Sequence, residues 1–167
     1  LIAFLLHTEG STRPASLMRI GLASLAWSRY AGHFVFYKDL DPIYLLHGTS
    51  FFLSTTLMFF GVWSRISTLC TAITLFSIYY VLGYGQGYEP YTHHHTYLLS
   101  MGCLLLALTP CGGSYSYDRY RLVAKADKDD APPPLETGPQ WGMRLIGLQL
   151  SLIYFWSTYS KLQGGFL

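Results

Sequence analysis

Residues 42–88 decide the fold: they read PIYLLHGTSFFLSTTLMFFGVWS, then Arg65, then ISTLCTAITLFSIYYVLGYGQGY. Each run beside Arg65 is 23 residues long and contains no Asp, Glu, Lys or Arg. A helix needs about 20 predominantly apolar residues to cross the hydrocarbon core of a bilayer. The two runs therefore predict two membrane-spanning helices, and the short connection between them makes these helices antiparallel neighbours.

The composition of the whole chain favours the same class of protein. Of the 167 residues, 51% are hydrophobic and 12% are charged, whereas a typical soluble domain has about 25% charged residues. The 14 Tyr, 10 Phe and 4 Trp suit membrane interfaces, where aromatic side chains collect. A net charge of +2 without a basic, aromatic-rich run argues against nucleic acid as a partner. Membrane lipids and other integral membrane subunits are the partners that we expect.

Three further segments complete the predicted bundle. One segment lies before Lys38, one ends at Pro110, and one follows Pro139. We predict an all-α integral membrane protein, a polytopic bundle with about five transmembrane helices, near residues 15–35, 43–62, 66–84, 94–109 and 140–160. Residues 1–167 would form a single domain, and because the chain does not begin with Met, we expect a fragment of a longer protein.

Residues 111–138 form the one substantial polar segment, and we predict a cytoplasmic loop with a short amphipathic helix near Tyr117–Lys125. The side of the membrane that carries this loop would hold eight of the eleven Lys and Arg residues. The positive-inside rule then places the N-terminal side in the cytoplasm. His93–His95 and Lys161 would lie on the opposite face, in the periplasm or a lumen.

The cysteines and histidines do not follow a metal-binding pattern. Cys70, Cys103 and Cys111 show no CxxC spacing, so we interpret them as packing residues. Successive residues of a helix point about 100° apart, so His93–His95 cannot all bind one ion from a regular helix. We predict no metal site. The histidines either cap a helix at the interface, or one of them lines the same cavity as Lys161.

The last helix carries a polar stripe. Six residues follow one another at intervals of three and four, and so share one helical face: Arg144, Gly147, Ser151, Tyr154, Thr158 and Lys161. A polar stripe within a membrane belongs in a bundle interior or a wet cavity. The alternative is that Lys161 only extends its ammonium group to the interface from the helix end.

These motifs resemble those of the horizontally transferred transmembrane (HTTM) domain, the family of vitamin K-dependent gamma-carboxylase. The main similarity is GPQWGMRLIGLQLSLIYFWSTYSKLQGG, residues 138–165, because the family's helix ends in Tyr-Phe, five residues and Lys-Leu. Four other segments fit family motifs in the same order: Arg19–Gly21, Trp63–Ile66, His95–Leu98 and Asp118–Tyr120. The family has Asn at the position of His94, and acidic residues in place of Gln163, Gly164 and Gly165.

The resemblance implies a site. The lysine that matches Lys161 is the base that handles reduced vitamin K in the carboxylase, and the histidine that matches His95 belongs to the same active site. We therefore expect Lys161 and His95 to be catalytic residues that line one pocket. Tyr154, Thr158 and His94 would bind the quinone or a lipid, and a reduced, vitamin K-like quinone would be the cofactor.

Two functions remain open at this point. The first is a carboxylase- or lyase-like membrane enzyme in which a quinone and oxygen react near Lys161. An amine in a dry cavity has a lowered pKa and can act as a base. The second is a non-catalytic HTTM-type subunit of a larger respiratory or photosynthetic complex, which binds lipid or quinone.

Overall fold

The computed structural model describes residues 8–35 and 41–163, and it is 77% helical, with six helices. The elements in chain order are β1 (Glu9–Ser11), α1 (Arg13–Val35), α2 (Pro42–Phe60), α3 (Ser64–Ser77), α4 (His94–Ala107), α5 (Tyr117–Lys128), β2 (Thr137–Pro139) and α6 (Trp141–Gln163). Helix α3 continues as a π-helix, Ile78–Gly85, and a 3₁₀ turn, Glu89–Tyr91, precedes α4.

The boundaries of α2 follow from its sequence. Pro42 occupies the first turn, where its missing N–H is not needed, and the Asp41 carboxylate accepts a 3.1 Å hydrogen bond from the Ile43 N–H. Gly61 ends the helix in the left-handed region, with φ 69°. A Cβ at Gly61 would lie 2.7 Å from Nη1 of Arg19, so only glycine fits this turn.

The first four helices pack against each other in chain order. Helix α1 contacts α2, α2 contacts α3, and α3 contacts α4, while α4 also contacts α1 and α6. The main core lies among the first four helices and includes Tyr30, Phe51, Met58, Leu75 and Cys103. The predicted antiparallel neighbours around residues 61–63 are thus observed as α2 and α3.

A two-stranded sheet sets the direction of α6. Strands β1 and β2 pair antiparallel, with Gly10 opposite Gly138, so α1 and α6 begin at the same end of the bundle. The hydroxyl groups of Tyr30 and Thr96 are 2.7 Å apart, which places the start of α4 near the end of α1. We call the end of the bundle with β1, β2 and Arg19 the arginine end, and the end with His95 the histidine end.

The five-span prediction is confirmed only in part. Helices occur at all five predicted positions, but two segments, Pro42–Phe60 and Ser64–Gly85, are long and apolar enough to cross a membrane. Helix α4 has 14 residues and a length of about 21 Å, less than the roughly 30 Å of a hydrocarbon core. Helices α1 and α6 have 23 residues each, but their arginines and hydroxyl groups lower the mean hydropathy.

The polar segment contains the predicted amphipathic helix. Helix α5 has no buried residue, and the Ser116 hydroxyl caps it by accepting a 2.9 Å hydrogen bond from the Arg119 N–H. The interpretation of the cysteines holds for Cys103 and Cys111, which are buried. It is wrong for Cys70, because this side chain lies on an exposed face of α3.

Candidate functional site

Arg19 is fully buried at the arginine end and binds four carbonyl groups. Its Nε donates to the Cys111 carbonyl at 3.0 Å, its Nη2 donates to Tyr115 at 2.7 Å, and its Nη1 donates to Phe59 at 2.9 Å and to Met58. A buried charge is costly unless hydrogen bonds satisfy it. Arg19 therefore links the end of α2 to the loop after α4 through these hydrogen bonds, and its role is structural.

Asp118 makes the second connection at this end. Its carboxylate accepts hydrogen bonds from the Trp63 N–H at 2.9 Å, the Ser64 N–H at 2.7 Å and the Ser64 hydroxyl at 2.8 Å. The Asp118 N–H donates to the Gly61 carbonyl at 3.1 Å. Three of the segments on which the HTTM resemblance depends, those around Arg19, Trp63 and Asp118, thus meet in one hydrogen-bonded cluster.

Glu136 joins the surface of the arginine end to this cluster. Its carboxylate lies 2.7 Å from Nε of Arg13 and 3.8 Å from Nε of Arg119. The hydrogen bond from Arg13 holds the pKa of Glu136 below its ordinary value. Burial raises the pKa of the Cys111 thiol beside Arg19, so Cys111 stays a neutral packing residue.

A cavity of about 540 Å³ lies between α1, α4 and α6 and extends to the histidine end. Its wall is mostly aliphatic and includes Leu22, Leu25, Leu98, Leu99, Ile146 and Leu150. Arg29, His95 and Gln149 supply polar groups. A mostly apolar cavity with a few convergent polar groups is the usual form of a small-molecule site.

Hydrogen bonds between helices hold the wall of this cavity in place. The Tyr30 and Thr96 hydroxyls are both buried and 2.7 Å apart. Beside them, the hydroxyl groups of Tyr44 and Tyr91 are 2.7 Å apart, and Tyr44 donates to the His33 carbonyl at 3.1 Å. Burial raises the pKa of Tyr91, so the Tyr91 hydroxyl keeps its proton at neutral pH.

The structure places the predicted histidines at the mouth of the cavity. His95 lines the cavity, and the ring centroid of His94 lies 4.1 Å from that of His95. His94 and His95 are both exposed, and of these two His95 lines the cavity whereas His94 does not. Among residues 8–35 and 41–163, no group of three His, Cys, Asp or Glu side chains could hold a metal ion.

Lys161, Tyr154 and Thr158 lie elsewhere. All three are on α6, as the stripe predicted, but every residue from 151 to 163 is exposed, and Tyr154 is 73% exposed. Lys161 follows the cavity residue Gln149 by three helical turns, or roughly 18 Å along the helix axis. The structure therefore does not bring Lys161 and His95 together in the cavity, and the role of Lys161 stays a prediction.

Two polar residues of the cavity were missed as site residues in the sequence. Arg29 and Gln149 are not among the residues that the sequence predicts for the site. The available signal was that Arg29 and Gln149 each interrupt a largely apolar segment. Their convergence depends on the packing of α1, α4 and α6, which these segments do not encode.

Comparison of the chain with protein families, with curated proteins and with solved structures found no match. The geometry of the cavity and the sequence motifs are therefore the basis of the functional proposal.

Proposed function

We propose that this chain is a multi-pass, HTTM-type membrane domain that binds an amphipathic membrane molecule, a quinone or a lipid, in the cavity between α1, α4 and α6. The observation that carries the proposal is the cavity itself. Its aliphatic wall suits an alkyl or isoprenoid chain, and Arg29, His95 and Gln149 offer donors to a polar head. The volume of about 540 Å³ lies within the range of known ligand sites.

The outward faces of the bundle support membrane insertion. Large aliphatic side chains on α2 and α3 are exposed, among them Leu46 and Leu53 at 64% and Ile66 at 61%. Soluble monomers rarely expose large contiguous apolar patches. In the proposed topology α1, α2, α3, α4 and α6 cross the bilayer, and the arginine end faces the cytoplasm, because it gathers Arg13, Arg19, Arg65, Arg119 and Arg144.

The second candidate function is the quinone- and oxygen-dependent enzyme. It is favoured by His95, which matches the family's active-site histidine and lines the cavity. Lys161 would act as the base only if a further element covered the exposed part of α6. The same exposure, with Phe155 at 62% and Trp156 at 59%, also suits a subunit that packs within a larger membrane complex.

Filling the cavity tests the proposed binding site. Gly102 lines the cavity, and a Cβ on it would lie 3.7 Å from a Leu22 methyl group, an ordinary contact. Gly102→Leu should therefore occupy the cavity without a severe clash. Gly21→Leu is the matched control, because a Cβ at Gly21 meets nothing within 4 Å.

The measurement is native mass spectrometry of the purified protein in detergent, titrated with a naphthoquinone that carries an isoprenoid chain, menaquinone-4, and with dioleoyl phospholipids. Gly102→Leu should lose binding, and Gly21→Leu should bind as the wild type does. If both variants bind equally well, the cavity is not the ligand site.

A further inference from the structure

We propose that the occupant of this cavity is an anionic phospholipid, with its phosphate bound by Arg29 and His95 and one acyl chain between α1, α4 and α6. The inference rests on the proposed binding function and specifies the chemistry of the ligand. Four observations carry it: the polarity of the cavity, the unpaired state of Arg29, the absence of carboxylates from the wall, and a second cavity that also contains Arg29.

The cavity has a charged end and an apolar end. Arg29 and His95 lie at the histidine end, and Met18 lines the cavity eleven residues earlier on α1, about 16 Å along the helix axis. Tyr30 follows Arg29 in the chain, and Thr96 follows His95. The hydrogen bond between the Tyr30 and Thr96 hydroxyls therefore places Arg29 and His95 at a similar height along the bundle axis. An elongated apolar cavity with one cationic end matches an acyl chain with an anionic head.

Arg29 has no hydrogen-bond or ion-pair partner among the described residues. By contrast, Arg13 binds Glu136, Arg19 binds backbone carbonyls, and Arg65 donates to the Thr109 carbonyl at 3.1 Å. A guanidinium stays charged at every accessible pH, and its five donors fit phosphate oxygens in pairs. Because Arg29 is exposed and has no partner among the described residues, its guanidinium is available to an anionic group of a bound ligand.

No residue of the described cavity wall can supply that anion, because neither Asp nor Glu lines it. A neutral quinone would fill the apolar part but would give the exposed Arg29 guanidinium no anionic partner. A phosphate satisfies Arg29 and accepts a hydrogen bond from His95. The charge of the wall thus selects an anionic head over a neutral one.

A second cavity favours a phospholipid among the anionic amphiphiles. It also has a volume of about 540 Å³, and Arg29 lines it together with Ser28, His33, Tyr44, Tyr88 and Tyr91. This cavity is rich in hydroxyl groups, whereas the first is aliphatic. A phosphate at Arg29 would lie at the junction, with the acyl chain on the aliphatic side and the hydroxyl-bearing headgroup on the other side.

The experiment compares two lipids that share their acyl chains and phosphate and differ in the headgroup, which is net anionic with a glycerol in one and zwitterionic with a choline in the other. The whole chain in detergent is titrated with dioleoyl phosphatidylglycerol and with dioleoyl phosphatidylcholine, and binding is measured by native mass spectrometry. We expect the wild type to prefer phosphatidylglycerol. Arg29→Gln should weaken that binding about tenfold or more, the value of a lost charge-assisted pair, and should weaken phosphatidylcholine binding less, because the choline ammonium already neutralises its phosphate.

Two further variants serve as controls. Arg121→Gln removes an exposed arginine of α5 and should leave both affinities unchanged. Arg29→Lys keeps the charge but loses the paired donors, and it should restore part of the preference. It also tests the site if Arg29→Gln does not fold, which circular dichroism would reveal.

The failures of the two proposals are distinguishable. If Gly102→Leu abolishes lipid binding but Arg29→Gln leaves the preference for phosphatidylglycerol intact, the cavity is a lipid site and the anionic assignment is overturned. If Arg29→Gln and Arg121→Gln weaken binding equally, the preference is a general surface effect and the inference is overturned as well. If Gly102→Leu changes nothing, the proposed cavity function itself fails.

Discussion

The Asp118 carboxylate caps the helix that begins at Ser64, 54 residues earlier in the chain, through a 2.7 Å hydrogen bond from the Ser64 N–H. The first N–H groups of a helix have no partner within it, and the preceding residue here is Trp63, which has no side-chain acceptor and a φ of 46°. The cap of α3 is therefore supplied by the loop and helix that follow α4. The connection between α2 and α3 depends on this distant contact.

The first prediction concerns this cap. Asp118→Ala should lower the free energy of unfolding by about 2 kcal/mol, because it removes a helix cap and leaves part-buried N–H groups unpaired. Unfolding in mixed micelles measures the change. Asp127→Ala is the matched control on the same helix, since Asp127 is exposed, and its effect should stay within about 0.5 kcal/mol. Equal effects of the two variants would mean that the cap contributes nothing.

The second prediction concerns Arg19. Arg19→Met keeps much of the buried volume but removes the donors to four carbonyl groups, so we expect a loss of about 3–5 kcal/mol in unfolding free energy. Arg19→Lys should recover only a fraction, because an ammonium cannot reproduce the planar fork of five donors. Arg121→Met is the exposed control. A fully stable Arg19→Met variant would contradict the structural role that we assign to Arg19.

The third prediction is a pH dependence at Glu136. Arg13 lowers the pKa of Glu136 in the folded state, so the folded protein holds this proton less tightly than the unfolded chain. The resulting stability is present above the unfolded pKa of about 4.3 and is lost as the pH falls through the lower, folded pKa. Unfolding measured from pH 6 to pH 3 should therefore lose stability less steeply in Glu136→Gln than in the wild type.

Added salt and a second variant check the third prediction. The Arg13–Glu136 pair is surface-accessible, so high salt should reduce its contribution. Glu9→Gln, at an exposed residue of β1, should retain the acid-dependent loss that is due to Glu136. If Glu136→Gln and the wild type have the same pH profile, the Arg13 pair does not contribute to stability.

Local chemistry in the sequence was sufficient for much of the fold. The charge-free runs located α2 and α3, Pro42 marked the start of α2, and the charged Tyr117–Lys125 segment located α5. The Asp118–Ser64 contact was not predictable in this way, because no local pattern specifies a cap 54 residues away. The number of helices suited to cross a membrane also differs from the prediction, because two of the predicted five are long and apolar enough. Helix α4 ends after 14 residues, and α1 and α6 contain arginines.

The candidate site illustrates the same limit. The spacing of Tyr154, Thr158 and Lys161 correctly placed them on one helix, but spacing does not show how far α6 extends beyond α4. Because α4 begins at His94, the residues of α6 that can face His95 are those near Gln149 and not those near Lys161. Arg29 entered the site only through the packing of α1 against α4.

The last prediction separates the two functions through Lys161, which is exposed. Lys161→Ala should change the unfolding free energy by no more than about 0.5 kcal/mol, as expected at an exposed position. If the protein is a quinone- and oxygen-dependent enzyme with Lys161 as the base, this variant should lose oxygen uptake with a reduced naphthoquinone, while Lys125→Ala should retain it. If the protein is a non-catalytic subunit, the wild type should show no oxygen uptake. Neither variant should then change lipid binding, since Lys161 lies outside the cavity. Uptake that persists in Lys161→Ala would exclude Lys161 as the base and would direct attention to His95, the predicted catalytic residue that does line the cavity.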